Sequence, residues 1–320
     1  MVPMKSQHKA IAVDFGGTSI KIGVTQGAYI LEKAAPLPTQ AYDSPGAIIS
    51  AMCATIRELM QKHPESAAVG LGMPGWVDFY RGALYQLTNV PVWDHEVPVR
   101  EVMQAELGLP IVLDNDANAM AYAEWKLGAG RGLESMVCLT LGTGIGGGIV
   151  LHNRLLRGRN VSAAELGQTS ILFNGRVGPF GNRGAIEEYL GNNEVAADAA
   201  QLYAAAGVSR TAQECTPKLL EEAARAGDPV AKQVYDAFAE KLACLIMNMM
   251  YALVPEAFII GGGVARAGDL LFAPIEERLR EQLIPVHAAQ LRLLPAHFGA
   301  DSGLVGAGLM AADYAAGELL

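Results

Sequence analysis

The stretch that decides the fold is AVDFGGTSIKIG, residues 12–23. Its pattern predicts a buried strand that ends in Asp14, a turn through Gly16 and Gly17, and a second strand after Thr18. Glycine lets the backbone approach phosphate oxygens closely, and a neighbouring aspartate can hold a hydrated Mg²⁺. The stretch therefore predicts a β-hairpin whose turn binds a phosphate group. A plain hairpin turn explains the same residues, so this motif alone leaves both interpretations open.

A second unit of strand, glycine turn and strand lies at LTLGTGIGGGIVL, residues 139–151. It matches G-x-G-x-x-G through Gly142, Gly144 and Gly147, the pattern of a dinucleotide-binding loop. Such a loop opens a helix, whereas here the chain continues as an apolar strand. We therefore favour a second phosphate-binding hairpin, with Thr143 and nearby N–H groups facing the phosphate. A nicotinamide-dependent dehydrogenase is the alternative that this motif raises.

Four polar residues follow the end of a buried strand in LDNDANAMAYAE, residues 113–124. They are Asp114, Asn115, Asp116 and Asn118. Ligand sites in α/β sheets favour the carboxyl ends of strands, and a carboxylate there can accept a proton from a hydroxyl group. Capping of the following helix explains any one of these residues by itself. The four together favour a site, with Asp116 as the candidate base.

Two weaker motifs complete the pattern. FIIGGGVARAG, residues 258–268, predicts a buried strand and then a glycine turn, in which Gly262 and Gly263 pack beside a nucleotide or simply form a tight turn. AELGQ, residues 164–168, and the later GNRGAIEEY place carboxylate and amide groups that can bind hydroxyl groups. These are Glu165, Gln168 and Glu187. Isolated carboxylates are more often part of a solvated surface.

Composition and charge narrow the classes of protein. The chain has 320 residues, 51% of them hydrophobic, and a net charge of −9. This length predicts two lobes, and the acidic balance argues against a nucleic-acid surface. The four cysteines lie far apart, which predicts a reducing, cytoplasmic setting without disulfides. The longest apolar stretch, residues 242–260, contains a proline and a glutamate and predicts a core helix and strand, not a membrane span.

Hydrophobic spacing predicts the remaining elements. The predicted strands are 9–15, 19–25, 28–35, 67–72, 110–114, 136–141, 148–151, 257–260 and 291–294. The predicted helices are 46–62, 96–107, 117–127, 193–207, 216–227, 228–253, 269–284 and 302–316.

Six motifs in order resemble the ROK family (repressor, open reading frame, kinase). They are DFGGTSIKIG, GMPGWVD, DNDANA, LTLGTGIGGGIV, AAELGQ and IIGGGVA, and the resemblance covers about residues 9–312. It implies an α/β chain with a two-lobed, actin/hexokinase-like (ribonuclease H-like) ATPase fold. We expect a small lobe of residues 1–117 plus 302–320 and a large lobe of residues 118–301, which close over a sugar and ATP.

The resemblance also implies roles for the site residues in an ATP-dependent sugar kinase. Asp116 is the catalytic base. Mg²⁺ and the ATP phosphates lie near Asp14, and further ATP contacts come from Gly16, Gly17, Thr18, Gly142, Thr143, Gly144, Gly262 and Gly263. The sugar contacts are Gly75, Asn89, Asn115, Asp116, Glu165, Gln168 and Glu187.

The chain departs from the family pattern in two places. Usual members carry a histidine after G-E-x-G and then a cysteine segment, which together bind a structural zinc. Here the histidine position is Gln168 and the segment reads PFGNRGAIE, residues 179–187. Without these ligands we predict no zinc site and a loop held by packing alone. Only about a dozen residues precede Asp14, too few for the DNA-binding domain of repressor members, so DNA binding is not expected.

Several functional alternatives stay open from the sequence. Glucose, phosphorylated at C6, is the first expectation, with mannose, fructose, allose and N-acetylmannosamine as other substrates. Polyphosphate is an alternative to ATP. A non-catalytic sugar sensor is the rival of another class, although the intact Asp14, Asp116 and glycine turns argue against it. A homodimer is implied by the resemblance only.

Overall fold

The computed structural model describes residues 8–87, 90–159 and 164–319. The strands are β1 (Lys9–Phe15), β2 (Ser19–Gln26), β3 (Tyr29–Lys33), β4 (Leu37–Pro38), β5 (Val69–Met73), β6 (Val77–Asp78), β7 (Ala83–Leu84), β8 (Ile111–Asn115), β9 (Met136–Leu141), β10 (Ile145–Leu151), β11 (Arg154–Leu155), β12 (Ala257–Gly262) and β13 (Leu293–Pro295). The helices are α1 (Pro45–Lys62), α2 (Val99–Leu107), α3 (Asp116–Lys126), α4 (Glu187–Leu190), α5 (Asn192–Ala205), α6 (Pro217–Arg225), α7 (Pro229–Leu253), α8 (Asp269–Gln282), α9 (Pro285–Gln290) and α10 (Ser302–Ala315).

The chain divides into two compact units. Unit 1 comprises Met1–Gly132, Leu155–Ala163 and Ala300–Leu320, and unit 2 comprises Leu133–Arg154 and Ala164–Gly299. The sequence places the first boundary after residue 117, whereas in the structure it follows Gly132, so that α3 belongs to unit 1.

Unit 1 is built on a sheet with the strand order β3-β2-β1-β5-β8, and β4 pairs with β2. The central strand β1 is antiparallel to β2 and parallel to β5. Its side chains alternate between the two faces, as the period of a strand requires. Ile11 and Val13 belong to a core cluster with side chains of α1 and α2, whereas Ala12 packs with Leu304 of α10.

Glycines bring α10 unusually close to its neighbours. A Cβ atom added to Gly306 would lie 1.8 Å from the carbonyl oxygen of Ala119 in α3, and one added to Gly70 of β5 would lie 1.9 Å from that of Ala307. Only glycine fits where one backbone approaches another this closely. This packing against α10 explains why α3 belongs to unit 1.

Unit 2 repeats the arrangement of the first sheet. Its strand order is β11-β10-β9-β12-β13, with β9 antiparallel to β10 and parallel to β12. The pairing of Leu141 with Ile145 leaves a turn of residues 142–144 between the two strands. The predicted start of β10 at residue 148 is therefore wrong, because Gly146 and Gly147 lie within the ladder and not in the turn.

The long helix α7 is the central helix of unit 2, in contact with α4, α5, α6 and α8. Its side chains Leu242, Leu245 and Ile246 are buried in this packing. The core helix and strand predicted for residues 242–260 are thus confirmed. None of the helices in the described ranges combines the length and the apolar run that crossing a bilayer needs.

The close approach of α3 and α10 predicts that Gly306→Ala destabilises the chain. The added methyl group meets a backbone carbonyl that cannot rotate away, so we expect a loss of about 1–3 kcal/mol in the free energy of unfolding. Urea unfolding followed by circular dichroism measures the loss. Gly46→Ala in α1 is the control, since nothing lies within 4 Å of its added Cβ. Equal stability of the two variants contradicts the packing argument.

Candidate active site

The first glycine turn joins β1 to β2 and is closed by backbone hydrogen bonds. The N–H of Gly16 donates to the carbonyl of Ser19 over 3.0 Å. Thr39 fastens the turn, because its hydroxyl donates to the carbonyl of Gly16 over 2.8 Å and its N–H donates to that of Thr18 over 3.1 Å. Gly17 is half-buried and Thr18 is exposed. The N–H groups of Gly17 and Thr18 are therefore the turn's candidates for phosphate contact.

Asp14 is the second-last residue of β1, close to this turn, and is paired with a cation that the sequence analysis did not single out. Lys21 Nζ lies 2.8 Å from Asp14 Oδ2, and its other recorded acceptor is the carbonyl of Ala300. Asp14 Oδ1 faces the start of α10, where a Cβ on Gly303 would lie 2.8 Å from it. A single carboxylate beside a phosphate turn fits Mg²⁺, which proteins hold with one or two carboxylates plus phosphates and waters.

The corner between β8 and α3 carries the predicted base. Asn115 is the N-cap of α3, and its Oδ1 accepts from the N–H groups of Ala117 (2.9 Å) and Asn118 (3.3 Å). Its Nδ2 donates to the carbonyl of Gly75 over 3.1 Å, and the φ angle of Gly75 is +73°. Asp116 is the first residue of the helix and is half-buried. Asn115 can therefore cap the helix and also bind a ligand. Its Oδ1 serves the cap and one amide N–H donates to Gly75, so the second N–H can donate to a ligand.

A buried ion pair supports this corner from beneath. Asp114 is 1% exposed, and Arg157 Nε donates to its Oδ2 over 2.7 Å. Asp114 Oδ1 accepts from the N–H of Asn115 (2.8 Å) and from Asn118 Nδ2 (2.9 Å). The guanidinium of Arg157 stacks over the ring of Phe79 with 3.8 Å to the centroid. The sequence analysis missed Arg157, which lies 43 residues along the chain from its partner.

The second glycine turn, in unit 2, already uses several of its N–H groups. Gly142 N donates to the carbonyl of Gly144 over 3.0 Å, and Gly146 N to the hydroxyl of Thr140 over 3.2 Å. Ile145 N donates to Glu187 Oε2 over 2.8 Å. The phosphate contacts expected of this turn therefore fall to the N–H groups of the exposed Thr143 and of Gly144.

The predicted sugar residues of unit 2 converge on Glu187. Gln168 Nε2 donates to Glu187 Oε1 over 3.0 Å, so both carboxylate oxygens of Glu187 have a protein donor. Burial, and then the charge of Glu187, raise the pKa of Glu165 to about 7. Glu165 as a whole keeps an exposed surface, so this desolvation comes from protein packed around its carboxyl and not from complete enclosure.

The predicted nucleotide turn after β12 borders a cavity. Gly262 has φ +88°, and a Cβ there would lie 2.2 Å from the carbonyl oxygen of Leu141, so only glycine fits. A cavity of about 400 Å³ opens beside Gly263. Thr216, Lys218 and Arg266 also line it. Thr216 and Lys218 lie in no motif of the sequence, and Arg266 lies in FIIGGGVARAG but was not singled out.

Two expectations have other outcomes. Asn89 lies outside the described residues. We expected packing alone to hold the loop at the position of the missing zinc motif, but hydrogen bonds also hold it. Asn182 Nδ2 donates to the carbonyl of Gln168 over 3.0 Å and to its Oε1 over 3.3 Å. The loop's apolar side chains Phe173 and Phe180 are 87% and 51% exposed, so hydrogen bonds do much of the ordering.

A family comparison decides how these sites are to be interpreted. The model of the ROK family matches residues 10–314. The chain belongs to the ROK family. A glucokinase from Streptomyces coelicolor is 35% identical over 315 residues, which cover 95% of this chain and 97% of that protein. A glucokinase from Thermotoga maritima is 34% identical, covering 93% of this chain and 96% of that protein.

The solved structures agree with the family match. A ROK family glucokinase from Streptomyces griseus, in complex with glucose and AMPPNP, has a TM-score of 0.81 at 34% identity. The match covers 95% of this chain and 99% of that chain. The prediction of an actin/hexokinase-like α/β fold is confirmed for this ROK protein.

The buried ion pair predicts that Arg157→Met destabilises the ROK protein. Asp114 would keep its charge in the interior without its partner, and we expect a loss of about 3–5 kcal/mol in the free energy of unfolding. Arg159→Met, an exposed neighbour, is the control in urea unfolding. Adding Asp114→Asn to Arg157→Met should recover part of the loss, because the stranded charge disappears. No recovery contradicts this electrostatic explanation.

Proposed function

We infer that the chain is an ATP-dependent sugar kinase, and we propose that Asp116 is its base and glucose its substrate, phosphorylated at C6. The enzyme class is supported by the ROK family match and by relatives that are named glucokinases. The observation that carries the assignment of the base is the position of Asp116. It is a half-buried carboxylate at the carboxyl end of β8 and the first residue of α3.

The start of α3 suits a base that works as a carboxylate. The N-terminus of a helix carries partial positive charge and favours an anion. Asp116 Oδ1 accepts the N–H of Ala117 over 2.9 Å, which fixes the orientation of the carboxylate plane. The Asn115 cap and the Asp114–Arg157 pair hold the same corner rigid. A fixed acceptor is what general base catalysis needs, since the hydroxyl must lie within hydrogen-bond reach.

The proposed step is a single phosphoryl transfer. The proton of the sugar hydroxyl goes to Asp116 as the hydroxyl oxygen forms a bond to the γ-phosphorus of ATP. The bond from that phosphorus to the β–γ bridging oxygen breaks, and ADP leaves with the electron pair. The N–H groups of the two glycine turns would stabilise phosphate oxygens. Mg²⁺, when bound near Asp14, would neutralise charge on the phosphates.

The carboxylates of unit 2 supply the proposed recognition of the sugar. Hydroxyl groups donate well to ionised carboxylates, and such charge-assisted bonds are stronger than neutral ones. Glu165 and Glu187 offer such acceptors, and Gln168 offers an amide. We assign Asn115, Gly75 and Asn89 to the same task, as the resemblance implies.

The test of the base is Asp116→Asn in a coupled assay of ADP release. MgATP is supplied with a panel of hexoses and N-acetylhexosamines. We expect turnover to fall by about 10²–10⁴-fold, the usual contribution of a general base. Asp269→Asn is the matched control, because Asp269 is an exposed aspartate that also begins a helix. Near-normal turnover of Asp116→Asn excludes the assigned base.

The same panel decides the substrate. Turnover with glucose alone supports the proposed acceptor, and preference for mannose or N-acetylmannosamine replaces it within the same mechanism. Sugar binding by calorimetry without any ADP release would favour the non-catalytic sensor.

The raised pKa of Glu165 predicts pH-dependent sugar recognition. Below about pH 7 the carboxyl is protonated and is a poorer acceptor, so the KM for the sugar should fall as the pH rises through about 7. Glu165→Gln removes the titrating group and should flatten this part of the profile. Initial rates from pH 5.5 to 8.5 at saturating ATP measure it. An unchanged profile in Glu165→Gln assigns the pH dependence to another group.

A further inference from the structure

The segment between Thr169 and Glu187 folds back on itself. Ser170 pairs with Ala185, and Val177 pairs with Arg183, as isolated bridges. These bridges bring the two ends of the segment together, next to the predicted sugar residues Gln168 and Glu187. Asn182 lies at this return.

Asn182 joins the loop to Gln168 through two hydrogen bonds. Its Nδ2 donates to the backbone carbonyl of Gln168 over 3.0 Å and to Gln168 Oε1 over 3.3 Å. Its own backbone carbonyl accepts from the N–H of Gly178 over 2.7 Å. One amide thus fixes both the backbone and the side chain of Gln168. With Oε1 held by Asn182, the Nε2 group of Gln168 is directed to Glu187.

The bonds continue from Gln168 to the second glycine turn. Glu187 receives Gln168 Nε2 on one oxygen and the N–H of Ile145 on the other. A Cβ on Gly144 would lie only 2.2 Å from Glu187 Oε2, so this carboxylate is packed directly against the turn. A continuous path therefore runs from Asn182 to the turn assigned to phosphate.

Glu187 needs this support because Glu165 opposes it. The charge of Glu187 contributes to the raised pKa of Glu165, which means that the two carboxyl groups repel each other when both are ionised. The amide of Gln168 donates to Glu187 and so stabilises its charged form. Releasing Gln168 would free Glu187 to move away from Glu165 and from the turn.

We propose that Asn182 is a positioning residue for sugar binding, which acts through Gln168 to fix Glu187 between the sugar residues and the second glycine turn. This inference rests on the proposed function, because that proposal assigns Glu187 to the sugar. It also gives Gln168 a second task besides any contact with the sugar. Hydrogen bonds between two amides and a carboxylate do this ordering.

The test measures sugar KM, ATP KM and kcat for four variants of the full chain. They are Asn182→Ala, Asn182→Asp, Gln168→Ala and the double variant Asn182→Ala/Gln168→Ala. Asp has the shape of Asn but no N–H to donate. Arg183→Ala, at the exposed neighbour, is the matched control. Thermal melting of each variant reports whether it folds.

We expect the sugar KM to rise about tenfold in Asn182→Ala and in Asn182→Asp, as when a supporting hydrogen bond to a ligand-binding side chain is lost. The kcat should change less, and Arg183→Ala should match the wild type. The double variant should be no worse than Gln168→Ala, because residues that act through one path are not additive.

Two outcomes overturn the inference. Wild-type KM in Asn182→Asp would show that Asn182 only fills space. If the rise in sugar KM of the double variant equals the product of the two single rises, Asn182 does not act through Gln168. If Asn182→Ala does not fold, the comparison of Asn182→Asp with the wild type still decides. If the wild-type chain shows no sugar-dependent ADP release, the proposed function itself is overturned. That result differs from an active wild type whose variants differ in their sugar KM.

Discussion

A carboxylate that is only 1% exposed must find its donors inside the protein, and Asp114 finds three of them. The charge of Arg157 compensates for its own, while the N–H of Asn115 and the amide of Asn118 occupy its other oxygen. Leaving a buried charge unpaired costs several kcal/mol, so the corner has few other arrangements available to it. Since Asn115 caps α3 and Asp116 begins it, the position of the proposed base depends on this buried pair.

Local features of the sequence predicted local structure well. The glycine turns could be predicted because their signals are local. The conformational freedom of glycine and the alternation of a strand both act within a few residues. The start of β10 was misplaced because glycine signals a turn and a close backbone contact equally well. Gly147 belongs to the second class, since a Cβ there would lie 2.7 Å from the carbonyl oxygen of Ala164.

Features that join distant parts of the chain were not predicted. Arg157 is paired over 43 residues and Asn182 over 14, and the motifs singled out neither side chain. The same is true of Thr39, which fastens the first turn from 23 residues away. A sequence pattern shows which groups are available, but the partner of each polar group is set by the tertiary fold. The order of the loop without cysteines could therefore only be found in the structure.

The two glycine turns each join a pair of antiparallel strands but differ in their charged neighbours. Asp14 beside the first turn is paired with Lys21, whereas Glu187 beside the second accepts from two N–H donors and, among the described residues, pairs with no cation. A phosphate near the second turn would meet that negative charge, and the repulsion grows as the carboxylate approaches. Because the N–H of Ile145 donates to Glu187, the N–H groups of Thr143 and Gly144 remain as the proposed phosphate donors of this turn. In the proposed roles, the orientation of Glu187 would affect phosphate binding as well as sugar binding, so a residue that fixes it would matter without touching either ligand.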